Sequence, residues 1–519
     1  MSVFSQANAS DPVALVSFGP GISELSQPKS FANFGPVALL TLVIGIVSVA
    51  LWRRFLSPIS NIPGPALASV TRFWHIRRIL DGDQNSRLIA LHDKHGHFVR
   101  IAPNEVSVSH PEAVKKILLA PLAKGDWYRI LAIPDYRFQT PVSTTDPKEK
   151  LARSKNFAAG WTLSNILQNE AAFDDVIGSL LGWLDGFSEV QKPIDLGRWI
   201  TFTTFDTIGQ AIFSKQFGFL KEGSDIGNSI ANGAALNAYA TILGFFRWVH
   251  VLFLGNPLMT SLQILPMGHL FNTSVQTVSE RLENNDSSFD VLAHWLRALE
   301  KNPESMSMRD IYGEATGAIG AGSDTVTCAT QSFLYHMLRH PNAWERVRNE
   351  IDEARRNGLC QDRVVSFADA QGLPFLQACI KEALRVFAPV PMTLPRRAPK
   401  EGLTIGGKYF PAGTTLSINP WVIHYSTELW GPDAREFNPD RWFRDDILEK
   451  EKYFIPFGAG YCSCPGQNFG KIEISKLTST LVRDYNIRQV DPDQQWTWKA
   501  YFILVPRWTP CIVEKRSPL

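Results

Sequence analysis

Two cysteines lie one residue apart in "PFGAGYCSCPG", Pro456 to Gly466. Gly458, Gly460 and Gly466 permit a tight backbone that can approach another group closely. Pro465 suits the first turn of the helix that "GQNFGKIEISKLTSTLV" encodes. Cys464 therefore stands just before a helix N-terminus, where the dipole favours a thiolate. A thiolate facing a metal in an apolar pocket is one coherent reading. Zinc fits poorly, because no Cys-x-x-Cys pair or histidine cluster adjoins the loop. A redox dithiol is more often Cys-x-x-Cys. A purely structural turn is the third reading.

Asp324 and Thr325 form a second chemical pair, an acid beside a hydroxyl. They lie in a stretch that predicts one helix from Met308 to His340, about 50 Å long. "SMRD" at Ser307–Asp310 resembles a capping box with Asp in the usual Glu place. Gly317, Gly320 and Gly322 interrupt the helix, and each costs about 1 kcal/mol relative to Ala. Three physical reasons compete. Something flat or bulky could approach the backbone, the helix could open locally with the Thr325 hydroxyl bonding back to the Ala321 carbonyl, or a neighbouring helix could pack tightly on small residues.

Glu382 and Arg385 are three apart on an amphipathic helix, "KEALRVFAPVP", and share a face. On a solvated surface such a pair is worth little. Here the flanking "FLQACI" and "VFAPVP" are apolar, which predicts a buried pair in need of further partners. Arg441, in "FNPDRW", is the candidate third member.

The elements that must position these groups come from one long chain. Its 519 residues are 45% hydrophobic, and its formal charge of +2 is too balanced for the concentrated basic face that nucleic acid requires. The six cysteines, Cys328, Cys360, Cys379, Cys462, Cys464 and Cys511, are scattered through apolar surroundings, which suggests a reducing compartment and no disulfide framework. Residues 30–52 carry no charge and end at Arg53-Arg54. They read as a transmembrane anchor with the following chain on the cytosolic side. The expected division is a lumenal tail over 1–35, the anchor over 36–52, a proline-rich hinge over 53–66 and one catalytic domain over 67–519. The sequon at Asn8 would then be open to glycosylation, and those at Asn272 and Asn285 silent.

Within the large domain a hairpin is expected over Phe98–Ser109, helices from about Pro111 to Val386, and strands again in "GLTIGGKYF", "TTLSI" and "WTWKAYFILVPRW". The apolar run Ala240–Met259 reads first as a core helix, and second as a membrane-dipping surface or a lid over an apolar pocket.

The order of "AGSDT" (Ala321–Thr325), "EALR" (Glu382–Arg385), "FNPDRW" (Phe437–Trp442) and "FGAGYCSCPG" (Phe457–Gly466) resembles the cytochrome P450 family of haem-thiolate monooxygenases. The likeness runs from the "IPGP" hinge almost to the end, and the anchor resembles that of the endoplasmic reticulum members. "RIAPNEVSVSHPEAV" and "YRFQTPVSTTDPKEK" further resemble the fungal, pisatin demethylase-like branch. The resemblance implies a mainly α fold with small β-sheets and haem b (iron-protoporphyrin IX) as cofactor. It implies Cys464 as axial ligand of the iron, with Phe457 beside it and Gly460 and Gly466 giving the loop its approach to the haem. Asp324 and Thr325 would deliver protons across a gap left by Gly322. Glu382, Arg385 and Arg441 would brace the haem loop without taking part in chemistry. The implied partners are a membrane, an apolar small-molecule substrate, expected to be a fungal secondary metabolite, and a separate NADPH-cytochrome P450 reductase.

One position departs from the family pattern. Where it has arginine facing a haem propionate, this chain has Cys462. The helix that usually offers Trp-x-x-x-Arg reads Lys150 to Ser154, with Arg153 and Lys155 flanking the slot. Arg396 and Arg397 are further candidates for the missing charge. Three activities are therefore weighed: a monooxygenase with rearranged propionate contacts, a haem-thiolate protein catalysing a non-oxygenating rearrangement or dehydration, and a degenerate weak haem binder. The intact Asp324-Thr325 pair and Cys464 favour the first.

Overall fold

The computed structural model describes residues 34–262, 268–284 and 288–517, so Asn8 and Asn285 lie outside the described residues. The chain divides into two compact units, Met1–Trp52 and Arg53–Leu519. The described part of the first is the helix Phe34–Leu51 and Trp52, apolar and exposed from Gly35 to Val49. With its continuation to Leu56 it is long and apolar enough to cross a membrane.

The second unit is mostly helical with small sheets, and its axis is the helix Met308–Arg339. The Asp310 carboxylate starts this helix by accepting from the Ser307 N–H (2.9 Å) and hydroxyl (2.6 Å). His340 ends it because Pro341 opens the next helix and cannot continue this one. Ile311, Ile319, Val326, Phe333 and Leu334 bury one flank against the helices Leu196–Phe213, Pro374–Val386 and Gln467–Asp484.

The strands expected from alternation are present. Phe98–Ala102 pairs antiparallel with Glu105–Val108, and Gly406-Gly407, both at positive φ, turn Leu403–Ile405 into Lys408–Phe410. Thr415–Ile418 lies between Glu105–Val108 (parallel) and Leu394–Arg397 (antiparallel), completing a four-stranded mixed sheet. Thr497–Ala500 pairs with Leu504–Arg507. A pairing between Tyr485–Gln489 and Cys511–Lys515 was not foreseen.

The reading of Ala240–Met259 as a core helix is corrected. The run breaks into Ser229–Leu243, Arg247–Phe253 and Pro257–Ser261, with Gly244 and Gly255 at the joints. Trp248, Leu252, Phe253 and Leu258 are exposed, while Ala240, Leu243 and Phe245 pack into a small core with Trp127 and Met392, so the run is core at its start and an apolar surface beyond.

The Glu382 carboxylate sits at the centre of the interior, wholly buried, and takes five donors. Oε1 accepts from Arg385 Nη2 (2.8 Å), Arg441 Nε (2.9 Å) and the Asn438 N–H (2.9 Å). Oε2 accepts from Arg385 Nε (2.9 Å) and Trp442 Nε1 (3.1 Å). Arg385 spends its remaining donors on the carbonyls of His424, Ala434 and Glu436, and Arg441 on Asp433 and neighbouring carbonyls. Buried charge is tolerable only when every donor is met in this way.

Glu382→Ala would strand two buried guanidinium groups. It is expected to cost about 3–5 kcal/mol, read as a marked drop in thermal midpoint and in soluble yield. A midpoint equal to that of the native protein would show that the triad does not hold the fold.

Candidate functional site

The cysteine loop is tied to the Glu382 network through one histidine. His424 donates from Nδ1 to the Arg385 carbonyl (3.0 Å) and accepts at Nε2 from the Ile455 N–H (3.0 Å), at the entry of the loop. Burial and the Arg385 charge push its pKa down to about 3, so the imidazole is neutral and can play both roles. From Ile455 the chain turns at once, the Gly458 N–H reaching back to the Ile455 carbonyl (3.1 Å). Gly458 and Gly460 both adopt left-handed φ, +67° and +65°. Gly460 is further confined, since a Cβ there would lie 2.4 Å from the Leu118 carbonyl oxygen. The loop closes where the Cys464 N–H donates to the Phe457 carbonyl (2.9 Å). Gly466 then caps the helix Gln467–Asp484, so Pro465 stands two residues before the first turn and not inside it.

This geometry presents Cys464 and Pro465 as exposed while Phe469 and Gly470 just beyond them are buried. Burial of the surrounding loop pushes the Cys464 thiol up, and a hydrogen bond from the Gly466 N–H and the charge of Lys471 draw it back toward thiolate. Lys471 also lies over the Phe457 ring, 5.6 Å from its centre. A Cβ on Gly466 would meet nothing within 4 Å, so the loop is bare on that side.

The central helix is bare as well. It runs unbroken past its glycines, and Ala321 is exposed although Ile319 and Ser323 beside it are buried. Gly317 and Gly320 face the same opening, because a Cβ on either would meet nothing within 4 Å. Gly322 does not: a Cβ there would sit 2.7 Å from Ile208 Cδ1. Tight helix packing explains Gly322, and close approach to an open face explains the other two. The expected gap at Gly322 is corrected to Gly317, Gly320 and Ala321.

Thr325 Oγ1 donates to the Ala321 carbonyl (2.8 Å), leaving its lone pairs free to accept. The Asp324 carboxylate makes no hydrogen bond among the described residues, and burial pushes its pKa up to about 7. Val326, next along the helix, lies 3.7 Å from the Cβ position of Gly470, so the open stretch of helix and the cysteine loop belong to packed neighbours.

A charged edge borders this opening. Lys124 and Arg396 face each other across an antiparallel bridge, flanked by the bonds Arg397 N–H to Ala123 O (2.8 Å) and Gly125 N–H to Pro395 O (3.0 Å). Along Leu394–Arg397 both Pro395 and Arg396 are buried, and Arg397 is exposed and pairs with Asp126. Lys150 donates to the Tyr461 carbonyl, beside Cys462. Lys124, Lys150 and Arg396 all lie within electrostatic reach of position 462, and both lysines within reach of Glu314 of the central helix. Burial pushes Lys124 down and Glu314 up, each to about 7. Arg153 is engaged elsewhere, with Glu149 (3.1 Å) and Asp310 (2.7 Å), and Lys155 is exposed. Of the four expected substitutes for the missing arginine, only Arg396 reaches this edge. Lys124 and Glu314 were not anticipated. Glu314 could have been found, eleven residues before Thr325 on the same helical face; nothing in the sequence pointed to Lys124.

The residues fit a haem. Among the described residues no group of three or more His, Cys, Asp and Glu could hold a metal ion, so a metal on Cys464 would have to bring its other ligands with it, as a porphyrin does. The glycine and alanine face suits a flat ring, and the cationic edge suits its carboxylates.

Comparison with known proteins gives the same direction. A family model described as cytochrome P450 matches residues 63–506. The chain is 30% identical over 496 residues to cytochrome P450 monooxygenase hepC of Aspergillus oryzae, covering 90% of this chain and 96% of that one. It is 30% identical to cytochrome P450 monooxygenase cicH of Emericella nidulans (89% and 94% covered). It is 28% identical to a pisatin demethylase of Fusarium vanettenii (97% and 98% covered).

The exposure pattern predicts how the thiols react. In cofactor-free protein, alkylation followed by mass spectrometry should modify Cys464 and Cys462 before the buried Cys328, Cys360, Cys379 and Cys511, and haem loading should protect Cys464. Equal labelling of Cys464 with and without haem would contradict its assignment as ligand.

Proposed function

Since this chain belongs to the cytochrome P450 family, and is a monooxygenase and oxidoreductase by that membership, we propose that it inserts one oxygen atom of dioxygen into an apolar small molecule of fungal secondary metabolism. NADPH electrons reach it through a separate flavoprotein reductase. The anchor over 36–52 holds it to the endoplasmic reticulum membrane, with the chain from Arg53 onward in the cytosol. Charge asymmetry supports this orientation, with Arg53-Arg54 closing the apolar run. The relatives' names support the metabolic setting.

The observation that carries the substrate class is the open face of the central helix. Between Glu314 and the Asp324-Thr325 pair, about 16 Å apart along the helix, the accessible positions are Gly317, Ala318, Gly320, Ala321 and Gly322, with no polar side chain. Such a wall favours apolar ligands through burial alone, and has no group to orient a polar one.

Haem bound here supplies the dioxygen-activating iron, and the Cys464 sulfur would hold it. The chain's own residues control protons and space. The Gly466 N–H and Lys471 stabilise negative charge at the Cys464 sulfur. Asp324, poised near neutrality and free of partners, holds a proton at its carboxyl and can release it toward the opening. Thr325, its own proton committed to the Ala321 carbonyl, offers lone pairs that accept a hydrogen bond from a water relaying that proton. The flat face keeps the substrate's apolar body against the helix and bulk water away.

Two results follow. Cys464→Ser should abolish the red-shifted Soret band of the ferrous carbon monoxide complex, and Cys462→Ser should keep it. Loss of the band in Cys462→Ser alone would transfer the ligand role to Cys462. The second concerns pH. Asp324 is a donor only when protonated, so product formed per NADPH consumed should fall as pH rises through about 7. Asp324→Asn should remove that limb and lower coupled turnover by about a hundredfold. A pH profile unchanged in Asp324→Asn would exclude Asp324 as the donor.

A further inference from the structure

Arg53 and Arg54 begin the proline-rich hinge, and the hinge lies along the strand Phe98–Ala102. The Arg100 N–H donates to the Pro63 carbonyl (2.8 Å). Gly64 permits that approach, since a Cβ there would overlap the Arg100 carbonyl oxygen. Ile59 and Ile62 are buried and fix the hinge to the domain. Beside Arg100 this packing leaves a pocket of about 140 Å³, with Arg54, Ser60, Asn61 and Ser69 among its walls. Pockets that take whole small molecules are larger, about 300–1,000 Å³. The space suits one compact group.

The charges around this pocket are one-sided. Arg100 is only 1% exposed. Its Nη2 donates to Ser57 Oγ (3.0 Å) and Pro103 O (2.7 Å), while Nε and Nη1 are buried without a partner. Nε carries one N–H and Nη1 two, so three of the five donors stand open. Arg53 donates to the Val70 carbonyl (2.9 Å). Arg54 is exposed beside the Phe55 ring and makes no hydrogen bond or ion pair among the described residues. Burial, then the charges of Arg54 and Arg53, push the Arg100 pKa below its ordinary value, and no carboxylate offsets them. A buried guanidinium with open donors and two cations for neighbours calls for an anion.

We propose that this pocket binds the phosphate of an anionic membrane lipid, with Arg100 supplying the fork and Arg54 the outer charge. The inference rests on the membrane reading above, since Arg54 follows Trp52, the last residue of the anchor, by two positions. Phosphate oxygens match the paired N–H groups of a guanidinium, and the open Nε and Nη1 are such a pair. Three arginines without an acid favour a headgroup that carries no cation of its own. Phosphatidic acid and phosphatidylinositol meet that condition, and choline or ethanolamine headgroups do not. A chain tethered at its neighbouring segment also meets lipid phosphate at high effective concentration, so a small site suffices.

The test is a calorimetric titration of the full-length, haem-loaded protein in a neutral detergent. Dioctanoyl phosphatidic acid should saturate at one lipid per chain, and dioctanoyl phosphatidylcholine should bind about tenfold more weakly or less. Inorganic phosphate should also bind about tenfold more weakly or less, and equal affinity would overturn a lipid as the source of the phosphate. Arg54→Gln should weaken phosphatidic acid binding about fivefold. Arg100→Lys keeps the charge and removes the fork, and should weaken it about tenfold or more. Native affinity in Arg100→Lys would overturn the proposal, because diffuse attraction to basic residues would then account for the binding. If Arg100→Lys does not fold, two variants of equal net charge decide. Ser60→Glu, inside the pocket, should bind about tenfold more weakly than Leu67→Glu, on the exposed helix outside it, and equal binding would overturn the site. Release of the native protein from membranes by alkaline carbonate would instead mark failure of the membrane reading, whatever the detergent titration gives.

Discussion

Two guanidinium groups and one carboxylate, Arg385, Arg441 and Glu382, lie out of reach of water and satisfy one another. Such a triad costs several kcal/mol per ion to desolvate and is recovered only if the geometry is complete. Completeness here requires segments far apart in sequence. Carbonyls of His424, Ala434 and Glu436, the N–H of Asn438 and the indole of Trp442 must all arrive before the charges are met. His424 then passes the constraint onward to Ile455, the first residue of the turn that presents Cys464. The cysteine is exposed because the loop behind it is held, through that histidine, by a buried charge cluster.

The opposite wall depends on the absence of side chains. A helix of 32 residues carrying three central glycines spends stability that tertiary packing must return. Gly322 returns it by letting Ile208 approach. Gly317 and Gly320 return nothing within the protein, and with Ala321 they leave a smooth strip between two acids of raised pKa, Glu314 and Asp324. One acid neighbours the cationic edge and the other the Thr325 hydroxyl, so the ends of the strip have different chemistry.

Local signals were legible in the sequence. Alternation located Phe98–Ser109, and paired glycines located the turn at Gly406-Gly407, because both depend on neighbours in the chain. Motif order singled out Glu382, Arg385 and Arg441, and these three do meet. What could not be read depends on register or on phase between distant elements. Arg396 and Arg397 are equivalent in sequence, and only pairing of their strand with Thr415–Ile418 decides which is buried. Gly322 and Ala321 are neighbours, and only Ile208 on another helix decides which faces the opening. Lys124 reaches the site through a bridge to Arg396 that no local pattern encodes. Apolar composition misassigned Ala240–Met259 beyond its start, since composition does not distinguish a core from an apolar surface.

The cysteine loop joins these threads. Cys464 is the most exposed thiol among the described residues, and cations drawn from elsewhere in the fold lie around the loop that carries it. X-ray absorption at the iron edge of the purified, haem-loaded protein examines its assignment as ligand without reference to activity. One sulfur in the first shell beside the porphyrin nitrogens is expected from Cys464 alone. A first shell without sulfur, or with two, would contradict it.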